Sequence, residues 1–281
     1  MKYIDKKLHK AEGEQIVSEF LQCVHQRLGA YPEELYKNFG QEIDDAHGHV
    51  IFRARLQNEV LEPEQEGVCC YCLRKLDNCN HRTIEHLIRN HAESQEEMDS
   101  YRTRPTELDG LVWSRVFTSD KNPIYPPYPH SVAYQNLVVS CDGDLFNENS
   151  KPVSCNLKRG KTFVPPFVLY EDIADRFVYY PDGTADWLDD PNGSTGSKSV
   201  ISILGLNKPV LKMIRRIWFY IASHRINIAI TSKEDLVNEI YGNLVGPDFS
   251  ESETKMLFNF KVEKYWNLFL QYEAFASINP V

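Results

Sequence analysis

Positive charge is in short supply. The 281 residues carry 31 Lys plus Arg against 40 Asp plus Glu, a net charge of −9, so any contact with a phosphate backbone has to come from locally concentrated basic residues. Long apolar runs are missing as well: the most apolar stretch, residues 210–230, contains Arg215, Arg216 and Arg225, which excludes a span of about 20 apolar residues. The first thirty residues hold Lys2, Lys6, Lys7, Lys10, Glu12, Glu14 and Glu19 in place of an apolar core before a small-residue cleavage site. Without that secretory pattern the expected location is the cytoplasm, with no membrane partner. Internal repeats and low-complexity tracts are also lacking. What is present is ordinary: 42% hydrophobic and 25% charged residues exclude a chain disordered throughout.

The patterning predicts an α+β protein, mainly helical, in three segments. Residues 1–61 read as helical: Ile16, Val17, Phe20, Leu21, Val24 and Leu28 repeat at helical spacing within 11–28, and Gly29 offers a left-handed stop. Further helices are expected over 32–45 and 50–61, before an acidic turn at 62–67. Residues 62–162 change character, with six of the seven cysteines, short β-prone runs at 82–87 and 135–140, and loops rich in Asn, Asp, Pro and Gly. Residues 163–281 predict a hairpin around Pro181-Asp182-Gly183, a helix over 209–223, a capped helix after Ser232, and a long helix over 251–275. In that last helix Phe258, Phe260, Tyr265, Trp266, Phe269 and Tyr272 fit a core or partner interface better than a base-stacking platform.

Cys69-Cys70-Tyr71-Cys72 contains a C-x-x-C pair, and Cys141 and Cys155 can complete a tetrahedral four-thiolate site for structural Zn²⁺. Thirteen residues separate Cys141 from Cys155, where a zinc knuckle usually has two to four. A redox pair is the alternative, without the βαβ context such pairs keep; His81 could also replace one thiolate. Cys23, Cys70 and Cys79 read as packing residues, and His9, His25, His47, His49, His91, His130 and His224 as ordinary surface or packing histidines. So short a segment buries too little apolar surface to stand alone, whereas zinc supplies roughly 10–16 kcal/mol in comparable small modules.

The ordered set Cys69-x-x-Cys72, Glu85-His86, Asn136-Leu137, Cys141 and Cys155-Asn156-x-x-Arg159-Gly160 resembles the HNH nuclease family. That resemblance implies two β-strands and a helix around one catalytic metal. It implies His86 as general base, Glu85 as metal ligand, Asn136 as the residue organising the intervening loop, and Asn156 as the last ligand, where many members have His. The chemistry accounts for the residue types: hydrolysis of a phosphodiester needs a base of near-neutral pKa to activate water and a hard cation to stabilise developing charge. Oxygen donors suit Mg²⁺ or Mn²⁺, while thiolates keep zinc at the structural site. Lys158, Arg159 and Lys161, near the start of the helix, are the candidate contacts to the nucleic-acid backbone. Neighbours on a regular strand face opposite sides, so convergence of Glu85 and His86 requires the strand to end or bulge there.

From Leu61 to Asn207 the chain is also similar to the PtuB-type HNH subunits of Septu and retron-linked anti-phage systems. This likeness implies nucleic-acid cleavage during phage infection, beside a PtuA-type ATPase of the ABC/SMC class, with a retron reverse transcriptase and its RNA–DNA as further partners. DNA is the favoured substrate. An RNA-cleaving effector and a non-catalytic zinc adaptor docking on the ATPase are the alternatives.

Overall fold

The computed structural model describes residues 1–28, 35–45, 48–76, 82–90, 108, 111, 126–145, 153–162, 164–187, 197–243 and 262–281. Helix α1 (Lys10–Leu28) follows its apolar period: Ile16, Val17, Phe20, Leu21 and Val24 are all buried. Phe20 sits 4.8 Å from Phe39 and 5.8 Å from Phe52, which fixes α1 against α2 (Leu35–Phe39). The helix expected over 32–45 stops there. Ile43–Asp45 instead forms β1, paired antiparallel with β2 (Gly48–Val50). Phe39 and Ile43 are four residues apart, a helical spacing, but Gly40 ends the turn, and a Cβ at that position would lie 2.6 Å from the Arg53 guanidinium.

Helix α3 (Phe52–Leu56) runs through a π-turn at Gln57–Leu61 into α4 (Glu62–Glu64). The acidic turn expected at 62–67 thus begins as helix. Glu64 is buried with Lys6, each side chain 1% exposed, and also accepts the Tyr134 hydroxyl; Lys6 donates to the Leu137 carbonyl at 2.6 Å. Glu62 pairs with Arg82. These bonds tie the amino-terminal segment to the ribbon formed by β3 (Arg82–His86) and β4 (Leu137–Cys141), which is antiparallel from Arg82↔Cys141 to His86↔Leu137. Every residue of β4 is buried, so that strand is covered on both faces, while β3 is half-buried except at Glu85.

Helix α5 (Cys155–Arg159) follows, then α6 (Ile173–Arg176) and the predicted hairpin of β5 (Phe177–Tyr179) and β6 (Ala185–Trp187). Gly183 has φ 82°, and a Cβ there would meet the Lys212 carbonyl at 1.9 Å, so only glycine fits this turn. Helices α7 (Ser197–Ile203), α8 (Pro209–Ser223) and α9 (Lys233–Asn243) complete the packing. Pro209 opens α8 at the position that tolerates a missing N–H, and Ser232 Oγ accepts the Asp235 N–H at 3.0 Å as the expected cap of α9. The long carboxy-terminal helix is interrupted: α10 (Glu263–Leu270) gives way to a 3₁₀ turn at Glu273–Ser277, because residues 271 and 272 are drawn to the cysteine turn. Residues 251–261, with Phe258 and Phe260, lie outside the described residues; Tyr265, Trp266, Phe269 and Tyr272 are buried.

One buried apolar cluster runs from Met1 to Phe275 through all three segments. Within it Arg215, 1% exposed, donates to the carbonyls of Gly183 and Leu206 at 3.0 and 2.8 Å. Among the described residues no helix is long and apolar enough to cross a membrane.

Candidate metal centre

The turn at residues 69–73 is shaped by its backbone bonds. The Cys69 N–H donates to the Arg74 carbonyl at 2.8 Å, the Leu73 N–H to the Cys69 carbonyl at 3.1 Å, and the Cys70 N–H to the Val139 carbonyl of β4 at 3.1 Å. This lays the turn alongside Cys141, the last residue of β4. Cys155 opens α5 at φ 49°, a left-handed conformation that costs a non-glycine residue on the order of 1 kcal/mol, and its N–H is held by the Leu204 carbonyl at 2.8 Å. Cys69, Cys72, Cys141 and Cys155 thereby converge, fully buried, with all four Sγ atoms within 4.8 Å of one another.

Cys69 Sγ is 3.9 Å from Cys155 Sγ, and Cys72 Sγ is 3.7 Å from Cys141 Sγ. Disulfide sulfurs lie about 2.05 Å apart, whereas the edge of a tetrahedron with zinc–sulfur arms of about 2.3 Å is about 3.8 Å. The thiols therefore fit a metal such as zinc and not a pair of bridges, and their burial leaves no open coordination position. Burial raises the Cys69 thiol, yet hydrogen bonds from Cys141, Cys155, Cys70 and Cys72 hold it well below its usual value. Burial and the bonds to Cys141, Cys69 and Cys72 push Cys155 well above its own. A divalent cation among the four sulfurs favours their thiolate forms.

The surroundings of the thiols come from far along the chain, and sequence reasoning missed them. Tyr272, kept protonated by burial and by the charge of Cys72, places its hydroxyl 3.7 Å from Cys72 Sγ. Arg74 donates to Gln271 Oε1 at 2.7 Å, the Asp144 carbonyl at 2.9 Å and Asp142 Oδ1 at 3.2 Å. The Lys75 N–H donates to the Gln271 carbonyl at 2.7 Å. Only the proximity of Arg74 and Lys75 to the C-x-x-C pair could have drawn attention to them. Cys23 is half-buried on α1 and Cys70 buried beside the cluster; Cys79 and His81 lie outside the described residues.

Four residues singled out for chemistry fall on β3, on the turn before β4 and on α5. β3 ends at His86, as expected, but the ladder is regular up to that last pair, His86↔Leu137, with no bulge to turn the two side chains together, so they leave opposite faces. Glu85 faces α5 and is ion-paired with Arg159, the two side chains 8% and 5% exposed. Asn156, three residues before Arg159 and so on the same side of α5, donates its Nδ2–H to Thr83 Oγ1 at 3.0 Å. His86 lies on the other face: its Nε2 is 2.9 Å from the Ser131 carbonyl, and its ring meets Tyr36 edge-on at 4.4 Å. The ribbon thus brings Glu85, Asn156 and Arg159 together and keeps the imidazole apart from them.

Asn136 is fully buried and wholly satisfied by main chain: Oδ1 accepts the Ile88 N–H at 2.6 Å, and Nδ2 donates to the carbonyls of Ile88 and His130 at 2.8 and 2.7 Å. Of the basic trio, Lys158 and Lys161 are exposed, as a phosphate contact requires. Arg159 is not: besides Glu85 it donates to the His86 carbonyl at 3.1 Å and the Tyr71 hydroxyl at 3.3 Å. Its place on the inner side of a helix only five residues long turns it into the protein. Compared with protein-family models, curated proteins and solved structures, the chain matches none of them.

Proposed function

We propose that the chain is an HNH-type endonuclease hydrolysing phosphodiester bonds of nucleic acid, DNA favoured, stapled by a structural Zn²⁺ at Cys69, Cys72, Cys141 and Cys155. Its role in this reading is that of a cytoplasmic anti-phage effector beside a PtuA-type ABC/SMC ATPase, with a retron reverse transcriptase and its RNA–DNA as further partners. A net charge of −9 suits a subunit whose substrate is presented by a partner. The observation that carries the reading is Asn136. A buried amide spending all three bonds on the main chain at 88 and 130 closes the stretch between β3 and β4, the part assigned to it by the resemblance.

The other residues divide the remaining tasks. Nε2 of His86 faces the Ser131 carbonyl, which can only accept, so the ring carries a proton there; an imidazole in this role takes a proton from water on its other nitrogen. Thr83 takes the Asn156 Nδ2–H and leaves Oδ1 as a donor atom beside Glu85. Glu85 and Asn156 would hold Mg²⁺ or Mn²⁺, which would neutralise charge on the phosphate and the leaving oxygen. The donor atoms suit a hard cation, with Arg159 as the competitor already neutralising Glu85.

That ion pair, together with the separation of Glu85 from His86, favours a second reading: a zinc-bearing adaptor that docks on the ATPase without cutting. Purified protein with Mg²⁺ or Mn²⁺, with and without the ATPase, assayed on labelled DNA and RNA, separates the two. For the nuclease, cleavage appears and His86→Ala abolishes it with folding and zinc content intact. Cleavage surviving His86→Ala refutes the assignment, and cleavage of neither polymer under any combination favours the adaptor.

A further inference from the structure

On the far side of α5 lies a cavity of about 530 Å³, between that helix, β6, the end of α7 and the start of α8. Lys158 and Lys208 both line it, and among the described residues neither makes an ion pair. Their stems converge on Gly205: a Cβ built there would lie 3.3 Å from Lys158 Cγ and 3.6 Å from Lys208 Cγ. The turn is left-handed at that residue, φ 61°, so glycine both permits the bend and leaves the space between the lysines clear.

The turn is held rigidly. Asn207 clasps Ala185 of β6 in both directions, accepting its N–H at 2.8 Å and donating to its carbonyl at 2.9 Å. The Leu204 carbonyl takes the Cys155 N–H, tying the cavity wall to α5. Helix α8 starts directly after Lys208 without a side-chain cap, which adds the positive end of a 15-residue helix to the field at that wall. The rest of the lining has different chemistry. Asp186, one carboxylate oxygen already taken by the Trp187 N–H at 2.8 Å, and the exposed Ser202 present acceptors and a hydroxyl, groups suited to sugar hydroxyls and hostile to a second phosphate.

We infer that this cavity is a nucleotide site, its two lysines gripping one phosphate while Asp186 and Ser202 face the sugar. Its volume falls within the roughly 300–1,000 Å³ of small-molecule sites. Asn156 and Lys158, two residues apart on α5, leave the helix on opposite sides, so the site is separate from the Glu85 face and survives if the nuclease reading fails. The same chemistry is offered by a free nucleotide and by one unit of a strand.

The test uses the full chain without added Mg²⁺ or Mn²⁺, so that binding is read apart from cleavage. The probes are AMP and a labelled 12-nucleotide single strand, by calorimetry and fluorescence polarisation. The double variant Lys158→Gln/Lys208→Gln is compared with an equal charge loss elsewhere, Lys10→Gln/Lys233→Gln, after melting curves confirm that both fold. The cavity variant should bind its ligand at least tenfold more weakly, and for the strand the slope of log K against log salt should fall by about 0.7, one phosphate's share. Loss of AMP binding alone identifies a free nucleotide, and loss of strand binding alone a unit of the polymer. Equal weakening by both double variants, no weakening by the cavity variant, or no binding of either probe by the parent protein overturns the inference.

Discussion

Removing the metal from the four-thiol site should unfold the module around it and release the carboxy-terminal segment at the same time. The magnitude follows from two comparisons. Zinc in small structural sites contributes about 10–16 kcal/mol, as much as the whole stability of a domain, about 5–15 kcal/mol, so its loss should unfold the module. Those contacts are partly hung on the site itself: Tyr272 rests on Cys72 and Gln271 on Arg74 and Lys75. The tail in turn carries Phe269, whose ring stacks on Trp218 at 4.7 Å and 7° and whose carbonyl accepts the Trp218 indole N–H at 3.1 Å. Chelation should therefore red-shift tryptophan emission in step with zinc release, followed by elemental analysis, and collapse the melting transition. Tyr272→Phe keeps the metal and loses one hydrogen bond, a cost of about 1 kcal/mol, with the tail exchanging amide protons faster. A protein proven free of metal that melts at the same temperature with unchanged emission would refute the reasoning.

Two further outcomes follow from buried polar groups. Lys6→Met should cost about 3–5 kcal/mol in urea denaturation because Glu64 is left buried without its counter-charge; adding Glu64→Gln should recover part of that loss, and a cycle with no coupling between the two would contradict the pairing. Asn136→Ala strips partners from three main-chain groups, each costing about 1–3 kcal/mol when left unpaired inside the protein, so hydrogen exchange at Ile88 should accelerate while the zinc content of the folded fraction stays the same.

Where local rules decide, the sequence could be read. Helix α8 follows from its apolar period and Pro209, the β5–β6 hairpin from Pro181-Asp182-Gly183, and the cap of α9 from Ser232. The cysteine cluster was legible despite the thirteen residues between Cys141 and Cys155, because chelation depends on where thiols end up and not on the length of chain between them. Illegible parts turn on distant partners. The acidic stretch at 62–67 read as a turn, with nothing to show that Glu64 finds Lys6 58 residues away. Arg159 looked like a phosphate contact, yet Glu85 draws it inward. The helix over 251–275 looked unbroken across its last turns, but the pull of Cys72, Arg74 and Lys75 on residues 271 and 272 bends it. β3 ends at His86 without a bulge because β4, buried along its length, pairs with it through that last residue and gives it no freedom to kink.

The 200 residues that separate Cys72 from Tyr272 also set an order of events during synthesis. All four sulfurs have left the ribosome once Cys155 emerges, so an ion can be captured well before Tyr272 is made. Until Tyr272 arrives, that ion has one side open to competing thiols and chelators in the cell. The turn that carries Tyr272 would then act as the latch over a captured ion, and the lifetime of that ion would be set when this turn docks.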